Sequence, residues 1–456
     1  PPRAVFVDSF ELIGELPWTT AFGDAFAERL GYELAPFSPF LFLEGGESEY
    51  VNIFGEPPPR YRATDERGAR AREDYEAFRS TRFFEELVEV VDAWAGARDI
   101  DLRLQAHGGY ADVLDAYAQS DVPESEGLYA GGSYDFLRLA ASAAEVAGTR
   151  YSSSETLVTV GARELSVDEA RLLFGRAFSA GINRLMLHGH AYPYTHTDGV
   201  RWFPFHPRED SAVSAGPADL SFDLQPDASI WPELPALNRM ATRLGYALSR
   251  GRAEAEVAWL YPEWKVQNFP NFGVEPGAFE SETSKALRAA GLTYTRVSRN
   301  ALRDAVVSDA SLRIGEASFD ARVVSDVLAA DPSLLASIQA AADAGIPVVW
   351  LGDFPTRADG LVDASARDAE GAMWLESLES SVDVVREASE VARALLAAGV
   401  VPSLAPLDEN GTQLSVAQRR VSGGELHYVF NESFVERSEQ LRVAGAFARL
   451  TLFDPD

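Results

Sequence analysis

The chain contains no cysteine, and lysine occurs only at Lys265 and Lys285. The first absence removes disulfides, thiolate metal sites and cysteine nucleophiles from consideration, and it suits either side of a membrane. The second leaves arginine as the main source of positive charge. Only 40 basic residues face 70 acidic ones, for a formal net charge of -30. A field of that sign repels nucleic acid and anionic membrane surfaces, so neither is expected as a partner; cations and neutral ligands stay open. No apolar run approaches the roughly 18 residues needed to span a bilayer. No P-loop and no Gly-x-Gly-x-x-Gly following a strand occurs, so no nucleotide cofactor is expected. No Gly-x-Ser-x-Gly elbow is present either. A signal-peptide pattern is also missing, but the chain opens straight into a strand and stops after three strand-like segments of an all-β part. Both ends therefore read as cuts in a longer protein.

What is present is a βα rhythm. At 456 residues the chain has room for two or three domains. Strand-type runs are expected at Ala4–Asp8, Asp101–His107, Leu128–Gly131, Thr149–Ser152 and Arg184–His188. Helical spacing of apolar residues marks Trp18–Leu30, Tyr75–Ala95, Tyr134–Ala147 and Val167–Ala180. The segment Gly45–Arg72 is rich in glycine, proline and charge and reads as a long loop or subdomain. This alternation predicts a parallel sheet and, over residues 1–250, a (β/α)8 TIM-like barrel that is incomplete at its N-terminus.

A boundary is expected near Arg250–Glu256, after the helix Glu233–Ser249. A second βα series follows, with strands at Glu256–Tyr261, Leu292–Val297, Ala321–Ser325 and Ile346–Leu351 and helices at Ser281–Ala290 and Pro332–Ala344. Residues 251–404 thus predict a small doubly wound α/β domain of amidotransferase-like shape. Catalytic amidotransferases need a cysteine, so this unit is expected to be structural or to mediate a homo-oligomer. Residues 405–456 read as the start of a β-sandwich, with strands at Leu426–Asn431, Glu439–Val443 and Ala448–Phe453.

The chemistry concentrates at strand ends of the first unit. Asp8 and Glu11 follow the first strand; Gln105 and His107 close the second; Asp121, Glu124 and Glu126 form a third cluster. Ser152-Ser153-Ser154-Glu155 forms a fourth, and His188, His190 and Tyr192 follow the strand at 184. The C-terminal edge of a parallel barrel is where such folds bind ligands, and core strands have no use for carboxylates. Each cluster also has a plain structural reading, such as Asp8 capping the next helix or Phe10 packing in the core. His188-x-His190 lacks a third ligand at zinc spacing, so no zinc is expected. Paired carboxylates beside aromatics (Trp18, Tyr110, Tyr192, Tyr194, Trp202) suit glycoside hydrolysis. One carboxyl protonates the leaving oxygen, while the other activates water or attacks directly, and the rings stack on a sugar.

Several of these stretches, in this order, resemble the family 106 α-L-rhamnosidases. They are Val7-Asp8-Ser9-Phe10-Glu11, Trp18-Thr19 with Gly31-Tyr32, Asp121-Val122-Pro123-x-x-Glu126, Ala140-Ala141-Ser142-Ala143-Ala144, Ser154-Glu155, and Gly181-Ile182-Asn183-Arg184 with His188. The resemblance implies an inverting, calcium-assisted hydrolase acting on a rhamnosylated glycan or glycoside. Glu11 would be the general acid and Glu155 the general base. Glu126, with Glu124 beside it, would lie at the calcium or sugar-diol site, and Asn183 through His188 would shape the sugar pocket. Calcium also suits an acidic chain that offers oxygen ligands. Two alternatives remain open at this stage: a retaining glycosidase of β-galactosidase type, and a non-catalytic carbohydrate-binding or assembly protein.

Overall fold

A computed structural model describes residues 2–10, 12, 16–44, 58–158, 165–188, 224, 226, 228–261, 280–308, 311–407 and 414–455. Its first sheet has five parallel strands in the order of the chain: β1 Ala4–Val7, β2 Asp101–Leu104, β3 Val122–Glu126, β4 Ser153–Thr156 and β5 Arg184–Leu187. Sequential parallel order with intervening helices is the arrangement of a half-barrel. The helices between strands end where the sequence supplies caps. Tyr134–Ala147 starts at Ser133, whose hydroxyl accepts from Phe136 N, and stops at Gly148 in the left-handed region. Val167–Ser179 begins with a capping box between Ser166 and Glu169.

Two strands differ from the expectation. The segment Leu128–Gly131 is not a strand; a short 3-10 turn spans Tyr129–Gly132, and the strand is Val122–Glu126. Likewise the fourth strand is Ser153–Thr156 rather than Thr149–Ser152. Both real strands are polar, with sequences VPESE and SSET, and so lack the β-branched and aromatic content that marks a strand. They form because neighbouring strands pair with them on both sides and their buried polar groups find partners across the sheet. A helix also covers Val113–Gln119, which was not expected, and the long helical region begins at Arg67, inside the predicted loop, with one π-helical turn at Phe84–Val88.

Downstream, β6 (Arg252–Glu254) and β7 (Val257–Leu260) are followed by β8 (Tyr294–Val297). A small antiparallel sheet comes next, formed by β9 (Val306–Ser308), β10 (Ser311–Ile314) and β11 (Ala317–Phe319). The chain then enters β12 (Ala321–Ser325), β13 (Val348–Leu351) and β14 (Asp383–Val385). The parallel sheet runs β14-β13-β12-β7-β8, so the order reverses between β7 and β12, as in a doubly wound fold. After β15 (Leu404–Pro406), the strands β16 (Leu414–Val421) and β17 (Gly424–Asn431) form a hairpin to which β6 adds antiparallel, and β18 (Leu441–Val443) pairs with β15. The run Ala448–Phe453, expected as a strand, carries no strand. Among the described residues no helix is long and apolar enough to cross a membrane.

The helix Tyr134–Ala147 joins the two parallel sheets. Its residues 140–144 are all buried, and one hydrophobic cluster runs from Leu102 and Tyr117 through Ala140 and Ala143 to Val257, Tyr294 and Val323. Small side chains let both sheets approach the helix closely. Polar ties accompany them. Arg138 Nε donates to Tyr294 O at 2.7 Å, and Arg296 N donates to Ser142 Oγ at 2.9 Å.

Candidate active site

Register places the polar side chains of the half-barrel together. Leu104 lies opposite Pro123, Glu124 opposite Ser153 and Glu126 opposite Glu155. The strand expected over Asp101–His107 ends at Leu104, and Gln105 and His107, just past its end, reach Glu124, Glu155 and Glu126, while Glu124 and Glu126 lie in register with Ser153 and Glu155. Gln105 and Glu124 are fully buried. The Gln105 amide nitrogen donates to Glu124 Oε1 at 3.2 Å and to Glu155 Oε2 at 2.8 Å. Ser153 Oγ donates to the other Glu124 oxygen at 2.6 Å, and Arg103 Nε lies 3.2 Å from it. Burial pushes the Glu124 carboxyl up from its ordinary value, against the pull of Ser153, Arg103 and Gln105.

Beside this pair, His107 is held at both ring nitrogens. Its Nε2 lies 3.0 Å from Glu126 Oε2, and its Nδ1 lies 2.9 Å from the Tyr117 hydroxyl. A carboxylate can only accept, which puts the ring proton on Nε2 and leaves Nδ1 to accept from Tyr117. Burial, together with Glu124 and Glu126, raises Tyr117 well above the ordinary phenol range, so it stays a donor. On the far side, His188 Nε2 approaches Glu155 Oε1 to 3.5 Å, and the His188 backbone N–H donates to Thr156 O. The Glu155 side chain keeps about a fifth of its surface exposed (21%), which opens it toward a ligand.

The loop after β1 is fastened over His107. Phe10 N donates to His107 O at 3.1 Å, and Phe10 packs edge-on against Phe83. The crossing is so close that a Cβ on Gly108 would run into the Phe10 carbonyl, and Gly108 itself has φ +76°. Asp8, at the head of this loop, is exposed and accepts from Ser9 N at 2.9 Å.

Of the residues expected at the site, Gln105, His107, Glu124, Glu126, Glu155 and His188 are brought together. Trp18 instead packs on Phe22 in the aromatic cluster of the first helix. Asn183 sits at the opposite end of the sheet, accepting from Ser152 N and donating to Arg150 O and Leu248 O. Glu11, His190 and Tyr192, with Tyr194 and Trp202, lie outside the described residues. The structure adds Arg103 and Tyr117, which the sequence does not single out, and it gives Ser153 of the fourth cluster a partner in Glu124. The period-two run Arg103-x-Gln105-x-His107 was the available signal for the first. Tyr117 rides on the unpredicted helix Val113–Gln119.

A parallel half-barrel whose strand ends gather carboxylates, an amide and imidazoles has the architecture of a barrel glycosidase. Similar solved structures agree in fold. A rhamnosidase from Novosphingobium sp. PP1Y superposes with TM-score 0.66 at 18% identity, over 94% of this chain and 39% of that one. An apo exo-carrageenase of family GH42 from Bacteroides ovatus gives 0.53 at 13%, over 90% and 56%. A β-galactosidase from the psychrophilic Marinomonas ef1 gives 0.52 at 13%, over 92% and 73%. The chain thus spans about two-fifths of the length of that rhamnosidase. No curated protein matches. A family profile described as alpha-L-rhamnosidase, glycoside hydrolase family 106, matches residues 2–456. The chain belongs to this family.

Proposed function

We propose that the protein hydrolyses terminal α-L-rhamnosides with inversion, Glu155 acting as general base and Glu11 as general acid. The observation that carries the reading is the setting of Glu155. It stands on β4 within a polar cluster, fixed on one oxygen by Gln105, flanked on the other by His188, and partly open to solvent. As a carboxylate it takes a proton from water as the water oxygen attacks the anomeric carbon. Glu11 supplies the proton to the departing glycosidic oxygen, a role that rests on the family resemblance alone. Both carboxyls then return to their starting charge by exchange with solvent.

The resemblance also implies calcium at Glu124 and Glu126. Glu124 does not fit. Its oxygens face a hydroxyl, an amide N–H and a guanidinium, all donors, where a cation would need bare oxygens. Glu126 likewise has one oxygen, Oε2, engaged by His107. Among the described residues no group of three or more acidic or imidazole side chains surrounds a common point.

Hydrolysis of an aryl α-L-rhamnoside by the wild type and by Glu155→Gln tests the reading. Measurable turnover in the wild type, strongly lowered in the variant, with the β-anomer of rhamnose as first product, is expected. Equal near-background rates in both would favour a carbohydrate-binding protein without catalysis, and retention of configuration would move the chain to a double-displacement mechanism.

A further inference from the structure

We propose that Gln105 is the positioning residue of the site: its amide nitrogen, shared between Glu124 and Glu155, ties the working carboxylate to a buried anchor. The inference rests on Glu155 being the general base. Three observations carry it. First, the amide bridges two carboxylates on neighbouring strands, at 3.2 Å to Glu124 and 2.8 Å to Glu155. Second, the anchor is buried and held by its own partners. Glu124 is fully buried, and its second oxygen is taken by Ser153 at 2.6 Å, with Arg103 at 3.2 Å. Arg103 is in turn stacked over the Phe6 ring at 3.9 Å. Third, the arrangement leaves the Gln105 carbonyl oxygen buried and without a hydrogen-bond partner among the described residues. Burying an unmet acceptor is costly, and a glutamine with only a packing role has no reason to bear it.

The chemistry follows from the bridge. A general base works only when the accepting oxygen meets the attacking water within hydrogen-bond reach and in line. Glu155 has three side-chain torsions. With one oxygen pinned by Gln105, its carboxylate plane is set, and the other oxygen is turned toward His188 and the open side of the site. Gln105 itself has no proton to give or take; it acts through Glu155. Glu124, in this account, stands behind the site rather than in it. That explains why so many donors converge on a carboxylate with no surface of its own.

The test is a double-mutant cycle on the full chain, read with an aryl α-L-rhamnoside whose leaving group is good enough to keep slow variants measurable. Gln105→Met keeps the length and volume but cannot donate. It should lower kcat by about 10²-fold, the scale of a misplacement near 1 Å, while KM stays close to the wild-type value. Introduced into Glu155→Gln, the same change should cost almost nothing further, because the group it positions is gone. Equal losses in both backgrounds, or a loss confined to KM, would overturn the inference. If Gln105→Met fails to fold by its urea midpoint, Gln105→Asn runs the same cycle, since it keeps the amide but is one methylene too short to span both carboxylates. If Glu155→Gln alone retains wild-type turnover, the general-base reading fails, and this inference with it. That result is distinct, because it involves no change at Gln105.

Discussion

Glu432 offers a sharp test of how the sheets are held together. It follows β17 and sits between two arginines from different parts of the chain. Its Oε1 accepts from Arg176 Nε at 2.6 Å; its Oε2 accepts from Arg288 Nη1 at 3.0 Å and from Ser415 Oγ at 3.1 Å. Arg176 is 1% exposed and Glu432 4%. Replacing Glu432 by Gln keeps the shape and removes the charge. Arg288 retains Glu280 as a charged partner, whereas Arg176 keeps the amide oxygen as an acceptor but loses its counter-charge; its other contact is a long one to Gly132 O, at 3.5 Å, and its Nη2 has no partner among the described residues. An uncompensated buried guanidinium costs about 3–5 kcal/mol. Domains of this kind are stable by only about 5–15 kcal/mol, so the loss should be a large fraction of the total. Urea unfolding followed by tryptophan fluorescence reads it as a fall in midpoint at constant slope. Removing both charges, with Arg176→Met and Glu432→Leu, should recover most of the loss. A cost under about 1 kcal/mol, the range of exposed pairs, or a double variant weaker than the single, would refute the reasoning. The pH dependence has a definite sign. Burial pushes the Glu432 carboxyl up, but Arg288 and Arg176 outweigh it and hold it below its ordinary 4.5. Its contribution is therefore complete above about pH 4.5 and lost as pH falls through the lower folded-state value, so wild type and Glu432→Gln should converge in acid.

Arg322 predicts the opposite effect. It is fully buried on β12, its guanidinium donates to Ser337 O at 3.1 Å with Nε and Nη2 unpartnered among the described residues, and it is pushed down by burial to about 9. Arg322→Met should stabilise by about 1–4 kcal/mol near neutral pH. Above that value the unfolded chain binds more protons than the folded one, so wild-type stability rises with pH and the gain should shrink above about pH 9, as urea midpoints near neutral pH and above pH 9 will show. At the site, Gly108→Ala forces a Cβ against the Phe10 carbonyl at a positive φ. It should cost about 1–3 kcal/mol in the same unfolding assay, and it should also lower the proposed rhamnoside hydrolysis by lifting the Phe10 loop off His107.

The parts of the fold that were legible in the sequence are those where local and global signals agree. Tyr134–Ala147 reads correctly because apolar spacing, a serine cap and a terminal glycine coincide. Ala321–Ser325 reads correctly because it is short, apolar and buried on both faces. The strands that carry the site were displaced or missed for one reason. Val122–Glu126 and Ser153–Thr156 owe their form to partners distant in the chain, which no local pattern contains. Gln105 and His107 could be singled out as polar ends of a strand, and Glu155 by resemblance. Their mutual contacts could not, since each depends on register between strands about 19 or 50 positions apart. Asn183 shows the converse: an amide beside a strand was read toward a pocket, whereas its hydrogen bonds secure the opposite end of the sheet.

The helix Tyr134–Ala147 has a further consequence. Because its buried small residues face both parallel sheets, it is a party wall rather than an outer wall of either. A cut near residue 250 would therefore not free a self-sufficient half-barrel; it would strip one side of that wall and expose an oily surface beside β3, the strand that bears Glu124 and Glu126. Damage far downstream, in β7, β8 or β12, would then surface as lost integrity at the carboxylate cluster without touching any of its residues.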